Sequence, residues 1–314
     1  MISTLTGSHL VRVCNSLFRH DQWNIGIVYA PISHFLESSA RPQVQWLRPH
    51  EPGKFLADPF AIKKGETIHL LCEEFDYRTF KGRIVTIEIT GRGAASSPAP
   101  VIETPVHMSY PYLLQYEGEI YCIPETSKTR EVSIYKAQKF PYSWKKVALI
   151  LSDFPAVDST VFQYKGHWWL ACSIVNKQSS SNELYIYYAP GPLGPWKQHG
   201  ANPVKRDIHS SRPAGTPFMH NGSLYRPSQD CSSTFGGRVV INRVVNLTPT
   251  DFKEESVAVV EPYGNCPYPD GLHTLSAVGN ITLVDAKRTI FVKKAFRRAL
   301  RQNFAKVKES FRIL

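Results

Sequence analysis

The chain has 314 residues, enough for one large domain or two. Hydrophobic residues make up 42% and aromatic residues 12% of the sequence, which is sufficient for a packed core and excludes a chain that is disordered throughout. The net charge of +11 is unevenly spread, because the segment from Lys287 to Leu314 has ten Lys and Arg against one acid, Glu309, and so carries +9 of it. Residues 1 to 286 are therefore close to neutral, and the basic character belongs to the C-terminal segment.

The sequence contains no recognisable export or membrane-spanning signal. Residues 1 to 22 lack a long apolar core and a small-residue cleavage site, and no run of about 18 apolar residues occurs. We therefore expect a cytoplasmic protein, with any membrane contact peripheral and at the inner face. The six cysteines include no CxxC spacing, so no zinc site is expected, and the sequence predicts no cofactor.

Residues 1 to 44 are predicted to form an N-terminal extension. Their first β-rich run is WNIGIVY, from Trp23 to Tyr29. In a circular fold, a strand from one end of the chain can complete the sheet formed by the other end, which leaves no open seam. We expect this run to close the ring of the fold described next.

From residue 45 onward the sequence repeats one plan five times: an apolar run, a turn with glycine, and a second apolar run that ends near polar residues. The turn glycines are Gly65, Gly118, Gly166, Gly222 and Gly279. Each unit is typical of a β-hairpin, since glycine supplies the positive φ that tight turns need. Another β-rich run follows each of the first four hairpins, at Arg83 to Ile89, Glu131 to Ala137, Leu184 to Ala189 and Gly237 to Val244.

A unit of about fifty residues with room for four strands, repeated five times, indicates a five-bladed β-propeller. The alternative is a β-sandwich built of similar hairpins, but the regular spacing favours the propeller. The predicted fold is therefore all-β, with the propeller over residues 45 to 287.

Residues 288 to 314 are predicted to form a basic amphipathic helix. Apolar side chains recur every three or four residues between Lys and Arg, at Val292, Phe296, Leu300, Phe304, Val307 and Phe311. Such a helix can lie in an anionic membrane interface. The alternative is that its Phe stripe packs against the propeller. No nucleic-acid partner is expected, because no reader motif accompanies the basic segment.

Chemistry is expected where the first strands of the blades converge on the propeller axis. The residues at these strand starts are Asp58, Tyr110, Asp158, Arg212, and Asp270 with His273. Isolated buried charges are costly, so titratable side chains here favour a functional pocket over a structural core. Aspartate before Pro or Gly also forms turns, and this alternative applies most strongly to Asp270.

A second group of polar residues ends the second strands: Glu73 or Glu74, Glu125, Gln229, Asp230 and Asp285. Carboxyl groups that face each other across a pocket push their pKa values apart, so that one serves as an acid and another as a base in glycosyl chemistry.

Arg212 offers two open alternatives. It can clamp an anionic group of a ligand, or it can pair with Asp158 or Asp230. A divalent ion held by Asp58 and Asp158 also stays open, although no metal site is predicted.

Several motifs resemble those of carbohydrate-active propellers. ADP at residues 57 to 59, YP at 110 and 111 with PET at 124 to 126, and DST at 158 to 160 resemble the five-bladed furanosidase fold of glycoside hydrolase family 43. More closely, FLADPF, SYPY with IPETS, DSTVF, and RPAGTPF followed by YRPSQDCSSTFGGRV resemble the family of plant glucosamine inositolphosphorylceramide transferase N-terminal domains and their bacterial single-domain relatives. This resemblance covers residues 23 to 288 and implies the propeller fold.

The family 43 resemblance implies a general base on blade one, a pKa-tuning Asp on blade three and a general acid Glu on blade four. Asp58 and Asp158 match the first two. Blade four departs from the pattern, because residues 212 to 215 contain no Glu. Glu125 or Asp230 is then expected to supply the acid. The expected substrate contacts are Tyr110, Arg212, Gln229, Asp270, His273 and Glu74.

These observations lead to three hypotheses of function. The leading one is a carbohydrate-active enzyme, glycosyltransferase-like, that acts on a glycan or glycolipid in the central pocket. The second is a glycoside hydrolase of the family 43 type. The third is a non-catalytic glycan-binding or scaffold module in polysaccharide biosynthesis. A carboxylate from blade two or four within about 6.5 to 9.5 Å of Asp58 would fit an inverting hydrolase, whereas pocket acids that are all paired with Arg would favour binding alone.

Overall fold

The structure, a computed structural model, describes residues 19–37, 42–91, 93–176 and 181–292. These residues form five antiparallel sheets, the blades of a five-bladed β-propeller. The predicted fold class is therefore confirmed. In the described parts of the chain, no helix is long and apolar enough to cross a membrane.

The strands are numbered in chain order. Two strands precede blade one: β1 (Arg19–Val28) and β2 (Gln45–Trp46). Blade one contains β3 (Lys54–Lys64), β4 (Thr67–Asp76), β5 (Lys81–Thr90), and at its outer edge β6 (Ala94–Ala95) and β7 (Ala99–Ile102). Blade two contains β8 (Ser109–Tyr116), β9 (Glu119–Glu125), β10 (Glu131–Lys139) and β11 (Ser143–Ser152).

Blade three contains β12 (Val157–Tyr164), β13 (His167–Asn176), β14 (Ser181–Ala189), and the short β15 (Lys197–Gln198) and β16 (Lys205–Arg206). Blade four contains β17 (Phe218–His220), β18 (Ser223–Asp230), β19 (Arg238–Leu247) and β20 (Phe252–Val260). Blade five contains β21 (Gly271–Val278) and β22 (Ile281–Phe291), followed in the sheet by β1 and β2. Two short 3-10 helices lie at Ile32–Leu36 and Ser127–Thr129.

All five predicted hairpins are present, each pairing the first and second strands of a blade. In the turns of blades two, three and four, both central residues have positive φ, as in Glu117 (50°) followed by Gly118 (78°). Two-residue turns of this kind match the twist of the strands they join. The glycines in these turns therefore set the hairpin register.

The ring is closed by β1. This strand lies between β2 and β22 and pairs with β22 along its whole length, from Arg19 opposite Phe291 to Val28 opposite Thr282. The predicted run from Trp23 to Tyr29 lies within β1 except for its last residue. Ile25 and Ile27 of β1 are fully buried in the core, so closure adds apolar burial to the backbone hydrogen bonds.

The C-terminal boundary differs from the prediction. Residues 288–291 continue β22 instead of starting a helix, because β1 offers them a paired edge: Arg288 lies opposite Gln22 and Phe291 opposite Arg19. The remainder of the predicted helix, residues 293–314, lies outside the described residues.

A β-bulge interrupts the first strand in four of the blades. The pairing register shifts between Ala57 and Phe60, Ser109 and Tyr112, Val157 and Thr160, and Leu272 and Thr274. Inside three of these bulges a non-glycine residue has left-handed φ: Asp58 (53°), Tyr110 (44°) and Asp158 (53°). Bulges re-aim side chains and are frequent beside active sites, and left-handed non-glycine residues are costly. The bulges are therefore the local feature that positions the site.

Blade four replaces the bulge by a direct contact with blade five. Gly215 has a φ of 116°, and a Cβ on it would lie 1.9 Å from the carbonyl oxygen of Leu275. The amide of Leu275 donates to Ala214 O, and the amide of Thr216 donates to Leu275 O, both at 2.9 Å. Glycine is required here because the two backbones approach so closely.

Candidate active site

Side chains from all five blades meet in one pocket of about 190 Å³ at the propeller axis. Its lining is formed by Trp23, Phe55, Ala57, Asp58, Glu73, Phe75, His107, Ser109, Glu125, Asp158, Arg212, Phe235 and His273. Two larger surface hollows border residues 42 to 46, but no acidic or basic side chain of the described residues lines them. The axial pocket is therefore the candidate active site.

Asp58 is held by its neighbours on both sides. Its Oδ2 accepts the amide of Tyr110 (3.1 Å) from blade two, and its Oδ1 accepts the hydroxyl of Thr274 (3.3 Å) from blade five. Burial raises the pKa of Asp58 to about 6; the neighbouring His273 lowers it, whereas Asp285 and Asp158 raise it further. At neutral pH this carboxylate is ionised yet more basic than an ordinary aspartate.

Glu125 ends β9 opposite Ser109. Its Oε1 accepts the hydroxyl of Ser127 (3.0 Å), and its Oε2 accepts the amide of Asp158 (3.3 Å). Burial and the charge of Asp158 raise the pKa of Glu125 to about 8, although Arg212 and the bond from Ser127 lower it. Glu125 therefore carries a proton at neutral pH and can donate it.

Asp158 is the pocket carboxylate that is paired with arginine. Arg212 Nε donates to Asp158 Oδ2, and Gln229 Nε2 donates to the same oxygen at 3.0 Å. The Arg212 guanidinium also lies 5.0 Å from the ring centroid of Phe235. Of the two alternatives for Arg212, the structure shows the ion pair with Asp158.

His273 occupies the bulge of blade five. Its Nδ1 lies 2.7 Å from Asp285 Oδ1, its Nε2 lies 3.6 Å from Asp58 Oδ1, and its ring stacks on Trp23 at 3.9 Å between centroids. Burial lowers the pKa of His273, but the carboxylates of Asp285 and Asp58 outweigh it and raise the pKa overall. The two carboxylates therefore favour the protonated, cationic form of His273.

Asp58, His273 and Asp285 each offer a possible metal-ligand atom, all within 4.8 Å of one another. Both oxygens of Asp285 already have hydrogen-bond partners. Its Oδ2 accepts the amide of Asp58 (2.8 Å), and its Oδ1 accepts the amide of Thr274 (2.9 Å) and also contacts Nδ1 of His273. Both oxygens of Asp58 also accept hydrogen bonds, so a metal ion at these three residues would compete with the bonds that hold the two carboxylates.

Glu73 and His107 also line the pocket. The sequence left Glu73 and Glu74 as alternatives and took Glu74 as the expected substrate contact, and it gave no indication of His107. Glu73 lies opposite Ala57, as Glu125 lies opposite Ser109. Its Oε1 is buried and has no hydrogen-bond partner among the described residues, and His107 Nε2 lies 3.6 Å from it. Burial and the surrounding carboxylates, first among them Asp58, raise the pKa of Glu73 well above its usual value.

Two acids of the prediction lie elsewhere. The adjacent Glu74 points away from the pocket, where Arg83 Nε donates to it at 2.8 Å and His50 Nε2 lies 2.8 Å away. Despite burial, these contacts lower the pKa of Glu74. Asp230 accepts from Arg238 Nε (2.9 Å) and the Ser232 amide (2.9 Å), and its pKa falls to about 2 although burial opposes the shift. Neither lines the pocket, and Asp230 is unsuited to act as an acid.

Three of the expected substrate contacts do not line the pocket. Asp270 is exposed and accepts the amide of Thr289 at 2.6 Å, away from the pocket. Tyr110 is fully buried, and its hydroxyl accepts the amide of Gly215 at 2.8 Å. Gln229 is buried behind the pocket, where it holds Asp158 and Pro213 O. Tyr110 and Gln229 therefore support the site from behind, whereas Arg212 and His273 line it as expected.

A regular spacing could have identified Glu73. It follows Asp58 by fifteen residues, as Glu125 follows Tyr110 and Ser173 follows Asp158. The aromatic walls of the pocket, Trp23, Phe55, Phe75 and Phe235, give no such signal, because buried aromatic residues are common in any propeller core.

Comparison with known proteins places these features in context. The family model described as "Glucosamine inositolphosphorylceramide transferase 1, N-terminal" matches residues 44–263. Proteins named glucosamine inositolphosphorylceramide transferase 1 from Oryza sativa subsp. japonica and Arabidopsis thaliana are 38% and 35% identical over 211 and 212 residues. Each match covers 66% of this chain but 28% of the relative, so the chain spans less than a third of the length of these relatives.

Solved structures share the architecture at low sequence identity. A family 117 glycoside hydrolase from Zobellia galactanivorans is 14% identical with a TM-score of 0.54, covering 86% of this chain and 90% of that one. The Bacillus subtilis arabinanase Arb43A is 14% identical with a TM-score of 0.51, covering 74% and 94%. These similarities show the fold alone. Because the family model matches more than half of the chain, the protein belongs to the family of glucosamine inositolphosphorylceramide transferase 1 N-terminal domains.

Proposed function

We propose that the axial pocket carries out glycosyl transfer: it binds one sugar ring of a glycan or glycolipid and moves the glycosyl group to an acceptor hydroxyl. The observation that carries the proposal is that most of the acidic side chains in the pocket are not paired with arginine. Within the described part of the chain, Asp58, Glu73 and Glu125 form no ion pair with arginine, whereas Asp158 does. Pocket carboxyl groups that are not neutralised by arginine and have separated pKa values favour acid–base chemistry over binding alone.

The two proton transfers have natural carriers. Asp58 is ionised at neutral pH and accepts the proton of the attacking hydroxyl group while the oxygen of that hydroxyl group bonds to the anomeric carbon. Glu125, protonated at neutral pH, gives its proton to the leaving oxygen as the old bond between that oxygen and the anomeric carbon breaks. Asp158 and Arg212 set the charge beside Glu125, with the negative charge of Asp158 favouring the protonated form.

The size and walls of the pocket suit a single ring. About 190 Å³ is below the roughly 300 Å³ at which drug-sized ligand pockets begin. The aromatic walls, which include Phe55, Phe75 and Phe235, offer apolar faces for the C–H side of a sugar. The names of the relatives refer to glucosamine and to inositolphosphorylceramide, so a glycolipid substrate is part of the proposal.

The test is a turnover screen with matched variants. The purified protein is offered nucleotide-sugar donors with glycolipid acceptors, and separately a set of glycosides in water. We expect Asp58→Asn and Glu125→Gln to reduce turnover by about 10²–10⁴-fold, because each removes one proton carrier. Asp270→Asn, which changes an exposed carboxylate outside the pocket, is expected to leave turnover unchanged.

The product identifies the acceptor. Transfer to the glycolipid supports the transferase, and release of free sugar supports the hydrolase, which would use the same two carboxyl groups with water as the nucleophile. Turnover that survives in both Asp58→Asn and Glu125→Gln would place the chemistry outside this pocket.

We also propose that the basic C-terminal segment binds an anionic membrane surface. The sequence after Phe291 contains eight Lys and Arg and one acid. A polybasic segment gains about 1 kcal/mol per Lys or Arg near an anionic surface. We expect the protein to sediment with vesicles of phosphatidylcholine and phosphatidylserine and less with phosphatidylcholine alone. Replacing Arg297, Arg298 and Arg301 by Gln should weaken this binding. Binding that is unaffected both by the loss of phosphatidylserine and by these replacements would contradict the proposal.

A further inference from the structure

Glu73 and His107 line the pocket, yet neither is needed for the two proton transfers assigned above. Glu73 comes from β4, and His107 from the loop before β8. Their side chains are 7% and 25% exposed, so both are partly or fully shielded from bulk water.

The hydrogen bond of His107 fixes its tautomer. The amide of Gly82 donates to Nδ1 at 2.8 Å, so Nδ1 carries no proton. Burial, aided by the charge of Lys128, lowers the pKa of His107 to about 4, and the ring is neutral at pH 7. The single ring proton therefore sits on Nε2, which faces Glu73 Oε1 at 3.6 Å.

Gly82 permits this arrangement. A Cβ at Gly82 would lie 2.2 Å from Glu73 Oε1 and 2.5 Å from Met108 O. The backbone of β5 therefore leaves just enough room for the Glu73 carboxyl beside His107. A buried carboxyl oxygen without a partner is costly, which indicates that a ligand group completes its hydrogen bonding.

We propose that Glu73 and His107 form a two-donor subsite that binds a hydroxyl oxygen of an uncharged sugar ring. This inference rests on the proposed function of the pocket and narrows its substrate class. Glu73 acts as a neutral carboxylic acid that donates its own proton, and His107 donates from Nε2. A hydroxyl group can accept from both donors with its two lone pairs.

The charges of the pocket select against anionic rings. Among the described lining residues the two cations are already engaged, Arg212 with Asp158 and His273 with Asp285 and Asp58. A uronate or sugar phosphate would meet the Asp58 and Asp158 carboxylates without a free cation, and desolvating its charge would be uncompensated.

The binding test uses glucose, N-acetylglucosamine, galactose, mannose and arabinose as uncharged probes, with glucuronate and glucose 6-phosphate as charged ones. Dissociation constants are measured by saturation-transfer NMR at pH 7 on the full chain. Glu73→Gln keeps a neutral donor and acceptor of the same shape, so we expect affinity within about threefold of wild type. Glu73→Leu should lose at least tenfold. His107→Asn keeps an acceptor for the Gly82 amide without the Nε2 proton and should lose about fivefold.

A pH series separates Glu73 from its neighbours. The titratable groups that act on it are Asp58 on β3, Glu125 on β9, Asp158 on β12, Asp285 on β22 and His107. All are present in Glu73→Gln as well. Affinity that falls at alkaline pH in wild type but less in Glu73→Gln is therefore due to ionisation of Glu73. Carbon-13 NMR of glutamate Cδ, with Glu73→Gln to assign the signal, should show Glu73 protonated at pH 7.

The outcomes distinguish this subsite from the pocket as a whole. If wild type binds none of the uncharged sugars, the proposed function fails and the subsite with it. If wild type binds a sugar and Glu73→Leu binds it equally well, the subsite alone is refuted. Loss of binding in Glu73→Gln as large as in Glu73→Leu, an ionised Glu73 at pH 7, or tighter binding of a charged sugar than of its uncharged parent would also overturn the subsite.

Discussion

At the residue scale, the site depends on carboxyl groups that share one pocket but keep different protonation states. Asp58 receives hydrogen bonds from two neighbouring blades and has a pKa of about 6, whereas Glu125 is buried beside Asp158 and has a pKa of about 8. The residue types were predictable from the sequence, since Asp58, Asp158 and Glu125 all line the pocket. Residue type alone did not decide between Glu73 and Glu74, because neighbours in a strand point to opposite faces; only the fifteen-residue spacing from Asp58 favours Glu73.

The raised pKa of Glu125 predicts a pH-dependent stability. Its folded-state pKa is about 8, against an ordinary value of 4.5, so the folded protein holds this proton more tightly than the unfolded chain does. Stability from this group is complete below pH 4.5 and is lost as the pH rises towards 8. Glu125→Gln removes the titration, and we expect it to be more stable than wild type at pH 8 by about 1–3 kcal/mol, with a smaller difference at pH 5.

Urea unfolding at both pH values measures this difference. The control is Glu103→Gln, which changes a half-exposed glutamate outside the pocket and should follow wild type at both pH values. A Glu125→Gln variant that is no more stable than wild type at pH 8, or whose advantage is larger at pH 5, would contradict the assigned protonation state.

At the element scale, the hairpins were predictable and the bulges were not. Turn glycines and alternating apolar residues mark each hairpin in the sequence. A bulge adds one residue to a strand without changing its composition, so the left-handed backbone at Asp58, Tyr110 and Asp158 has no signal in a single sequence. That backbone decides which side chains face the pocket, and it leaves Tyr110 as a buried support.

The close packing around Gly82 of strand β5 leads to a prediction about stability. The φ of Gly82 lies outside the left-handed region, so the backbone itself would accept alanine. The obstacle is the surrounding atoms, because the added Cβ would lie 2.5 Å from the carbonyl oxygen of Met108. We expect Gly82→Ala to destabilise the fold by about 1–3 kcal/mol through overpacking and to displace Glu73.

The matched control is Gly264→Ala, where an added Cβ meets nothing within 4 Å. Thermal unfolding measures the stability of both variants. Equal melting temperatures for Gly82→Ala and Gly264→Ala would contradict the tight packing of β5 against Glu73.

At the scale of the whole molecule, the propeller is a ring closed by strand β1, and the pocket lies where the blades meet. Closure also shapes the site, since Trp23 of β1 stacks on His273 and Lys287 of β22 reaches Asp21 of β1 at 2.8 Å and Phe235 O at 2.7 Å. The repeat period made the ring predictable. The end of β22 was missed because Arg288 belongs to the basic C-terminal segment of the sequence, and only the pairing of residues 288–291 with β1 shows that they form a strand.

The most direct test of the account is the pH dependence of kcat/KM for whichever donor and acceptor the wild-type protein turns over. Asp58 must be ionised and Glu125 protonated, so we expect a bell-shaped pH profile of kcat/KM, with its acidic limb at about pH 6 and its alkaline limb at about pH 8. In Glu125→Gln the residual activity should lose the alkaline limb. A wild-type rate that keeps rising above pH 8, or that shows no loss below pH 6, would contradict the assignment of Asp58 as base and Glu125 as acid.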